Sequence, residues 1–448
     1  MDISTCRPTP IISPASLRIV RTAKRRSLAR WVGCPRSARR SSHPVEPLLL
    51  PFRAIRPASG RAHEVAAPPY DVVSTEEARD RAAGRPWSFL HVSRAEIDLP
   101  PGTDPHAAEV YATAGNAFRR MLAEGVLVRD GRPAFYVYRL DARDHTQTGV
   151  AAAAPVAAYT SGRIRRHEHT RPAKETDRVR QITAVDAHTG PVFLTHRPDA
   201  AVSACLAGAT AGEPVADVVS DEGVRHRIWV ADAPSVTDRL TTAFAGMAAV
   251  YIADGHHRAA AAARVAEVRA PAADHFLAVS FPADEVRILD YNRVVRDLAG
   301  RSPERFLSDL AATFEVVEAA TPPRPSGPGV FAMVLGGRWY RLRLRDAMNE
   351  DQGVDRLDVS RLSRHVLEPL LGIGDPRTDS RIDFVGGDRG LAELERRVAS
   401  GHWAVGFALY PTALADLMAV ADAGAVMPPK STWFDPKLAD GLLSLPLA

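Results

Sequence analysis

The sequence predicts an α+β protein with a mixed sheet in its larger part and a smaller α/β unit towards the C-terminus. Short apolar runs typical of strands recur between longer segments with helical periodicity. Two pairs of these runs are separated by polar or glycine-rich turns, which favours antiparallel hairpins. A proline- and glycine-rich segment, Thr321–Gly329, lies between the two parts and is predicted to be a linker.

The predicted organisation has four parts: a disordered basic extension (1–44), a core (45–320), a linker (321–329) and a C-terminal α/β unit (330–448). Residues 1–43 contain ten Lys or Arg against one acid, Asp2, and show no sustained apolar period, which is typical of disorder. The rest of the chain has 47 basic and 52 acidic residues, a net charge of −5. This balance gives no reason to expect a nucleic-acid partner.

Cysteine content and hydropathy indicate a cytoplasmic protein without a membrane span. The three cysteines, Cys6, Cys34 and Cys205, form neither a disulfide framework nor a zinc pattern, as expected in a reducing compartment. No apolar run approaches the roughly 20 residues that a membrane-spanning helix needs.

The core is predicted to alternate strands and helices. Ser74 is a good N-cap for a helix that begins at Thr75, and a helical pattern over 105–124 stops at Gly125. Further helices are predicted at Ser235–Gly246 and from Pro303. The predicted strands are Leu48–Arg56, Ser88–Val92, Pro133–Arg139, Gly149–Tyr159, Val192–His196, His226–Val230, His275–Phe281, Val286–Val295 and Phe314–Glu318.

The C-terminal unit begins with a hairpin signal. Gly336-Gly337 separates the apolar strands Phe331–Leu335 and Arg338–Leu344, a spacing that predicts a two-residue turn. Helices are predicted over 358–371, 388–399 and from Thr412, with a strand at Trp403–Tyr410. A proline- and tryptophan-containing tail follows at Met427–Lys437. It has no predicted function beyond packing against the site.

The densest candidate site is Asp254-Gly255-His256-His257-Arg258. Val250–Ala253 before it is predicted to be a short buried strand, and the alanine run after Arg258 a helix. A glycine at such a junction lets backbone amides approach a ligand, and a helix N-terminus attracts anions. Asp254 is a candidate metal ligand or proton acceptor. The alternative is an aspartate helix cap beside a surface histidine pair, and the residues alone do not decide between the two.

A second charged stretch covers residues 163–178. Eleven of its sixteen residues are charged or histidine. A solvated charged helix is the usual explanation of such a run. However, the run follows a strand and mixes acids, bases, imidazoles and a hydroxyl within one or two turns, which favours a functional role.

Two common nucleotide and metal motifs are absent. Gly424–Ser431 matches the P-loop spacing, but Pro429 replaces the second glycine and lacks the N–H that a phosphate cradle needs. His167, His169, His256 and His257 have no H-E-x-x-H pattern and no cysteine partners, so a structural zinc site is not expected.

The Asp-Gly-His-His-Arg stretch resembles the signature of the domain of unknown function 1015 (DUF1015) family. The resemblance runs nearly from Pro51 to the C-terminus, and it includes Pro68–Val73, Lys174–Arg178, Leu289–Arg293 and the tail Met427–Lys437. The family is similar to the ParB/sulfiredoxin-like superfamily, whose phosphate loop runs Gly-x-x-Arg into a helix. Some members with a similar element are kinases that phosphorylate free L-serine.

The resemblance implies phosphoryl transfer from ADP or ATP, with Mg²⁺, to a small hydroxyl metabolite. It places the nucleotide phosphates at Gly255, His256, His257 and Arg258, and Mg²⁺ at Asp254. The expected base is Glu168, with Asp71 as second choice and Asp254 as a further catalytic residue; Glu64 is the other candidate for the family's catalytic glutamate. A substrate or charge clamp is expected from His167, Thr170, Lys174, Glu175, Arg178 and Asn292. A nucleotide-binding regulatory switch and a phosphohydrolase remain alternative functions.

Overall fold

The computed structural model describes residues 46–346 and 351–447 of the chain. The predicted disordered extension lies outside the described residues. Twenty strands are formed within the described ranges. They are β1 (Ile55–Pro57), β2 (Leu127–Arg129), β3 (Phe135–Ala142), β4 (His145–Pro155), β5 (Ile164–Arg165), β6 (Ala187–His188), β7 (Val192–His196), β8 (Ala216–Val219), β9 (Arg225–Ala231), β10 (Val250–Asp254), β11 (His275–Pro282), β12 (Ile288–Leu289), β13 (Tyr291–Val295), β14 (Phe314–Ala319), β15 (Val330–Leu335), β16 (Arg338–Leu344), β17 (Ile382–Gly386), β18 (Val405–Ala408), β19 (Trp433–Phe434) and β20 (Leu445–Pro446).

The α-helices of the same ranges connect these strands and pack on both sheets. They are α1 (Ala62–Val65), α2 (Thr75–Ala82), α3 (Leu90–Ser93), α4 (Ala108–Ala123), α5 (Val156–Thr160), α6 (Pro172–Val185), α7 (Ala200–Ala209), α8 (Pro234–Gly246), α9 (His256–Arg269), α10 (Pro303–Leu310), α11 (Asp358–Leu362), α12 (Gly390–Ala399) and α13 (Leu414–Asp422). None of them is long and apolar enough to cross a bilayer.

The first sheet is mixed, as the sequence predicts. Its eight strands are ordered β5-β10-β7-β11-β4-β3-β9-β8. Strand β10 pairs in parallel with β5, and β11 in parallel with β7, whereas the other neighbours are antiparallel. Because β5 opens the 163–178 stretch and β10 leads into Gly255, this parallel pair brings the two charged stretches to the same edge of the sheet.

The second sheet is antiparallel and has the order β14-β16-β15-β18-β13-β17. The hairpin predicted around Gly336-Gly337 forms its β15–β16 pair. The sheet contains β13 and β14 from before the predicted linker and β15 to β18 from after it. The linker therefore runs within one sheet, and the change from the first sheet to the second falls near residues 283–290.

One buried apolar cluster joins the two sheets. It contains Tyr136 and Phe281 from the first sheet and Phe331 and Phe407 from the second, all fully buried. A separate cluster on the other side of the first sheet includes the alanines of α9, whose small side chains let the helix lie close to the strands. Contacts group the chain from Val45 onward into one compact unit.

Two predicted strands of the N-terminal part are wrong or shorter than expected. Ser88–Val92 is predicted as a strand, but Leu90–Ser93 is helical and packs with Phe118 of α4 in a third apolar cluster. Of Leu48–Arg56, only the last two residues belong to a strand, β1. An apolar run of this length fits a buried helix turn as well as a strand, and only its packing partners decide. The Ser74 cap is confirmed, with a capping box to Glu77.

Candidate functional site

The junction between β10 and α9 has the predicted strand–glycine–helix form. Gly255 has a φ of 96°, in the left-handed region that favours glycine. A Cβ there would lie 3.1 Å from Arg258 Nε and 3.3 Å from Val192 Cα, so the packing also requires a residue without a side chain. The first helical bond of α9 runs from the Ala259 amide to the Gly255 carbonyl, at 3.0 Å. The amides of residues 256–258 thus precede the helical bonding pattern, where a helix attracts anions.

Two histidines connect this junction to the second charged stretch. The His167 amide donates to His256 Nε2 at 3.4 Å, although the two residues are 89 positions apart. The Arg171 amide donates to His257 Nε2 at 3.0 Å. The rings of His167 and His256 also meet edge to face, with centroids 4.4 Å apart. These contacts fix residues 167–171 against the start of α9.

The buried histidines are neutral at physiological pH. Burial lowers the pKa of His167 to about 4, and it lowers the pKa of His256 well below its ordinary value, with the nearby His167 adding to the effect. Since His256 Nε2 accepts a hydrogen bond, the proton of the neutral ring lies on Nδ1. That atom is 3.9 Å from Glu168 Oε2. His256 therefore lies beside Glu168 as a neutral ring and is unsuited to neutralise a phosphate.

Glu168 is the best-placed candidate base. Its side chain is 42% exposed and lines a cleft of about 160 Å³. Partial burial raises its pKa, and Asp254 raises it further, against the opposing charges of Lys430 and Arg171. A carboxylate with a raised pKa is a better proton acceptor near neutral pH than an ordinary glutamate. Glu64 of α1, the other candidate, instead forms an ion pair with Arg61 at 2.8 Å and does not line the cleft.

Asp254 is engaged by cations from two parts of the chain. Lys437 Nζ lies 3.0 Å from Oδ2, and the Gly255 amide donates to Oδ1 at 2.8 Å. Burial opposes ionisation, but Lys437 and Arg258 outweigh it and hold the pKa of Asp254 below its ordinary range. The carboxylate therefore stabilises the glycine loop.

The residues present do not fit the predicted magnesium site at Asp254. Both carboxylate oxygens already have partners, and one of these partners is a lysine. Within the described ranges, no group of three or more His, Cys, Asp or Glu side chains is arranged to hold a metal ion. Hence no chemical step is assigned to a metal ligand of this chain.

Arg258, which is predicted from the sequence to bind phosphate, lies in an ion-pair cluster. Its side chain is 10% exposed, and its NH2 lies 3.5 Å from Asp71 and 3.7 Å from Asp254. NH1 donates to the Pro191 carbonyl. Burial opposes the charge, yet these carboxylates outweigh it and raise the pKa of Arg258. Asp71 is a less suitable candidate base than Glu168, because its carboxylate already forms an ion pair with Arg258.

A buried carboxyl, Asp440, lies beside the same cluster. Its Oδ2 accepts the Tyr70 amide at 3.2 Å, and its side chain and that of Arg258 line one small cavity. Burial raises the pKa of Asp440 to about 7, against the opposing charge of Arg258. Because the folded state binds this proton more tightly than the unfolded chain does, Asp440 favours folding below pH 4. This contribution is lost as the pH rises to about 7.

We therefore expect Asp440→Asn to increase the free energy of unfolding more at pH 8 than at pH 5, by at least about 1 kcal/mol, since one pKa unit corresponds to about 1.4 kcal/mol. Urea denaturation at the two pH values measures this difference. Asp238→Asn, at an exposed position of α8, is the control. An Asp440→Asn effect that is the same at pH 5 and pH 8 would show that this carboxyl does not titrate as described.

Several residues predicted for the substrate clamp lie elsewhere. Arg178 pairs with Asp177 at 2.7 Å and stacks on the ring of Tyr70 at 3.9 Å. Asn292 is fully buried and accepts the Leu409 amide at 3.1 Å. The remaining three are outside the cleft lining: Thr170 donates to Glu175, Glu175 lies 3.5 Å from Arg264, and Lys174 is exposed on α6.

The sequence predicts that Lys430 can reach an anion and that the tail packs against the site, but it does not predict a cationic wall. Lys430 and Lys437 of the tail form this wall, facing the acids Glu168 and Asp254 across the cleft, and the rings of Trp433 and Tyr291 line it as well. The unusual combination of prolines, lysines and a tryptophan in this tail was the sequence feature that could have indicated a role at the cleft.

A family model described as "Protein of unknown function (DUF1015)" matches residues 49–360. The chain belongs to the DUF1015 family. This agrees with the family resemblance of its motifs. No curated protein is significantly similar in sequence to the chain.

Solved structures share weak similarity with this DUF1015 protein. "Free serine kinase in complex with AMP" aligns with a TM-score of 0.32 and 14% identity, covering 64% of this chain and 86% of that one. A "conserved hypothetical protein from Pyrococcus furiosus" gives 0.33 and 14%, covering 67% and 95%. "SbnI with C-terminal truncation from Staphylococcus aureus" gives 0.37 and 13%, covering 66% and 87%. At these scores the alignments assign neither a fold nor an activity.

The DUF1015 match divides the cleft into two sets of residues. Glu168, Asp254 and Gly255 lie inside the matched range, whereas Lys430 and Lys437 lie beyond it. The acidic wall is thus contributed by the matched part of the chain and the cationic wall by its C-terminal continuation.

Proposed function

We propose that this DUF1015 protein transfers a phosphoryl group from ADP or ATP to a small hydroxyl metabolite, with free L-serine as the first acceptor to test. The proposal includes a ParB/sulfiredoxin-like core, in which residues 255–258 form the phosphate loop. The observation that carries it is the meeting of Glu168, Asp254 and two lysines around one cleft, beside the start of α9. Phosphoryl transfer needs these elements, namely an anion site and a base near the attacking hydroxyl.

The site for the donor phosphates in this proposal consists of backbone amides. The amides of residues 256–258 lie at the positive end of the α9 dipole, next to the cleft that Lys430 and Lys437 line. Arg258 contributes indirectly, because its contacts with Asp71 and Asp254 hold the loop in place.

The base in this proposal is Glu168. It lies between the neutral His256 and the cleft, with Asp254 close enough to raise its pKa. As the acceptor hydroxyl attacks the phosphorus, Glu168 would take the hydroxyl proton, and the donor nucleotide would leave with one phosphate fewer. The cleft volume of about 160 Å³ is close to that of a cavity of about 150 Å³ that binds benzene. A metabolite of amino-acid size therefore fits, while the nucleotide base would lie towards solvent.

A turnover assay tests this function. The protein is mixed with ADP or ATP, Mg²⁺ and single amino or hydroxy acids, and phosphorylated products are measured by ³¹P NMR and mass spectrometry. We expect a phosphorylated acceptor to accumulate in step with nucleotide consumption. Bound but unconsumed nucleotide would instead support a regulatory switch. Phosphate released equally with and without acceptor would support a phosphohydrolase.

A further inference from the structure

The tail forms a fixed wall of the cleft. The Met427 amide donates to the His167 carbonyl at 2.8 Å, and Thr412 Oγ1 donates to the Ser431 carbonyl at 2.9 Å. Trp433 and Phe434 pair as β19 with β12. Lys430 and its neighbours are thus held in position by contacts with three other segments of the chain.

Lys430 has a backbone conformation that is unfavourable for its residue type. Its φ is 59°, in the left-handed region that glycine and asparagine adopt most easily. Arg293 NH2 holds it there by donating to the Lys430 carbonyl at 3.0 Å. Glycines take the positive φ angles at positions 424 and 441 of the same C-terminal region. Since Lys430 also lines the cleft, this backbone conformation supports a functional role for its side chain.

The ammonium group of Lys430 is available to a ligand. It lies 5.4 Å from the ring centre of Tyr291, and the residue is exposed at the cleft. Lys437 is paired with Asp254, whereas Lys430 has no ion-pair partner within 4.0 Å in the part of the chain that the structure describes. Its charge nevertheless interacts with Glu168 and Asp254, so it lies near the candidate base.

A buried histidine adds a second polar group to the same cleft. His167 is 3% exposed and lines the cleft, and its Nδ1 is buried without a hydrogen-bond partner among the described residues. Buried polar atoms in native proteins normally have a partner, so an unsatisfied one indicates a place for a bound group. Lys430 and His167 together can recognise a small molecule that is both anionic and polar.

We propose that Lys430 binds the carboxylate of the acceptor, so that the protein selects small hydroxy acids over neutral alcohols. The inference rests on the proposed function, since it names the acceptor end of the same cleft. Glu168 lies near the hydroxyl to be phosphorylated, and Lys430 holds the opposite, anionic end. Lys437 is a positioning residue, because it acts through Asp254.

The test compares L-serine with L-serinamide, which keeps the hydroxyl and the amine but lacks the negative charge. We expect the native protein to prefer L-serine by about 10- to 100-fold in kcat/KM, the range of one charge-assisted hydrogen bond. Lys430→Gln should reduce this preference to nearly onefold while leaving the KM for nucleotide unchanged. Lys430→Asn is the second variant, because asparagine tolerates the left-handed backbone. Arg239→Gln, at an exposed position of α8 and outside the cleft lining, is the control for the loss of a surface cation.

The outcomes separate this inference from the proposed function. A preference that persists in both folded Lys430 variants would overturn the role of Lys430 while leaving the kinase function intact. A raised nucleotide KM with unchanged acceptor preference would place Lys430 at the donor and also overturn it. If the native protein turns over no acceptor, the kinase function fails. In that case the binding of L-serine and L-serinamide, measured by calorimetry, tests the role of Lys430. Tighter binding of L-serine that is lost in Lys430→Gln would support the inference. Tighter binding that persists in the variant, or equal binding of the two compounds to the native protein, would overturn it.

Discussion

Glu168→Gln is expected to lower kcat by at least about 100-fold while nucleotide affinity stays within about twofold of the native value. Removing a general base costs on the order of 10²–10⁴ in rate, and the amide is nearly isosteric, so the contact region of His256 is preserved. Steady-state kinetics and equilibrium nucleotide binding measure the two quantities. Glu267→Gln, at an exposed position of the same α9, is the matched control.

The pH profile gives the Glu168 prediction a second readout. Burial and the neighbouring Asp254 raise the pKa of Glu168. The base must be deprotonated to act, so kcat/KM should fall with decreasing pH at a pH above the ordinary glutamate range. This acid limb should be absent from the residual activity of Glu168→Gln. Full activity in the variant, or an unchanged acid limb, would exclude Glu168 as the base.

Arg258→Ala is expected to destabilise the folded protein by up to about 3 kcal/mol, the lower end of the cost of removing one partner from a buried ion pair, because Asp71 and Asp254 are 39% and 31% exposed. Asp71 and Asp254 would then lie in a partly buried cluster without their shared guanidinium, and the buried Asp440 would lose a nearby positive charge. Urea denaturation measures the free energy of unfolding.

Arg264→Ala provides the comparison for Arg258→Ala on the same helix. The side chain of Arg264 is 41% exposed and lies 3.5 Å from Glu175, so its loss should cost no more than about 1 kcal/mol. Arg258→Lys keeps the charge but not the planar fork, and it should fall between the two. Equal losses in Arg258→Ala and Arg264→Ala would contradict the structural role. A stable Arg258→Ala with weakened nucleotide binding would restore the phosphate-binding role predicted from the sequence.

The sequence was sufficient for features that depend on neighbouring residues. The buried strand, the glycine in the left-handed region and the alanine-rich helix follow one another within twenty residues, and each has a local signal. The Ser74 capping box is equally local. By contrast, the approach of His167 to His256 depends on the parallel pairing of β5 with β10, which no local pattern indicates.

The roles of the charged residues depended on distant partners and were harder to predict. Arg258 follows a glycine loop, a position that indicates phosphate binding. However, Asp71 forms an ion pair with it from a distant part of the chain, and Asp440, which lies beyond the tail, adds a second nearby acid. Arg178 was assigned to the clamp, yet it stacks on Tyr70. Charge patterns show that a site is polar, and only the fold shows which charges neutralise one another.

The predicted linker also shows that strand partners distant in sequence decide the fold. Residues 321–329 have the composition of a linker, but β14 before them pairs with β16 after them. Strand partners are chosen by side-chain packing across the sheet, which a composition shift does not report.

The ion pair between Lys437 and Asp254 has a consequence for the order in which the protein is made. Chains are synthesised from the N-terminus, and domains begin to fold before synthesis ends. The ribosome adds Lys437 183 residues after Asp254. Until then, the Asp254 carboxylate has Arg258 as its cationic neighbour, and the cleft lacks the wall that contains Lys437. The cleft is therefore completed only once Lys437 has been added, after the strands that position its acids.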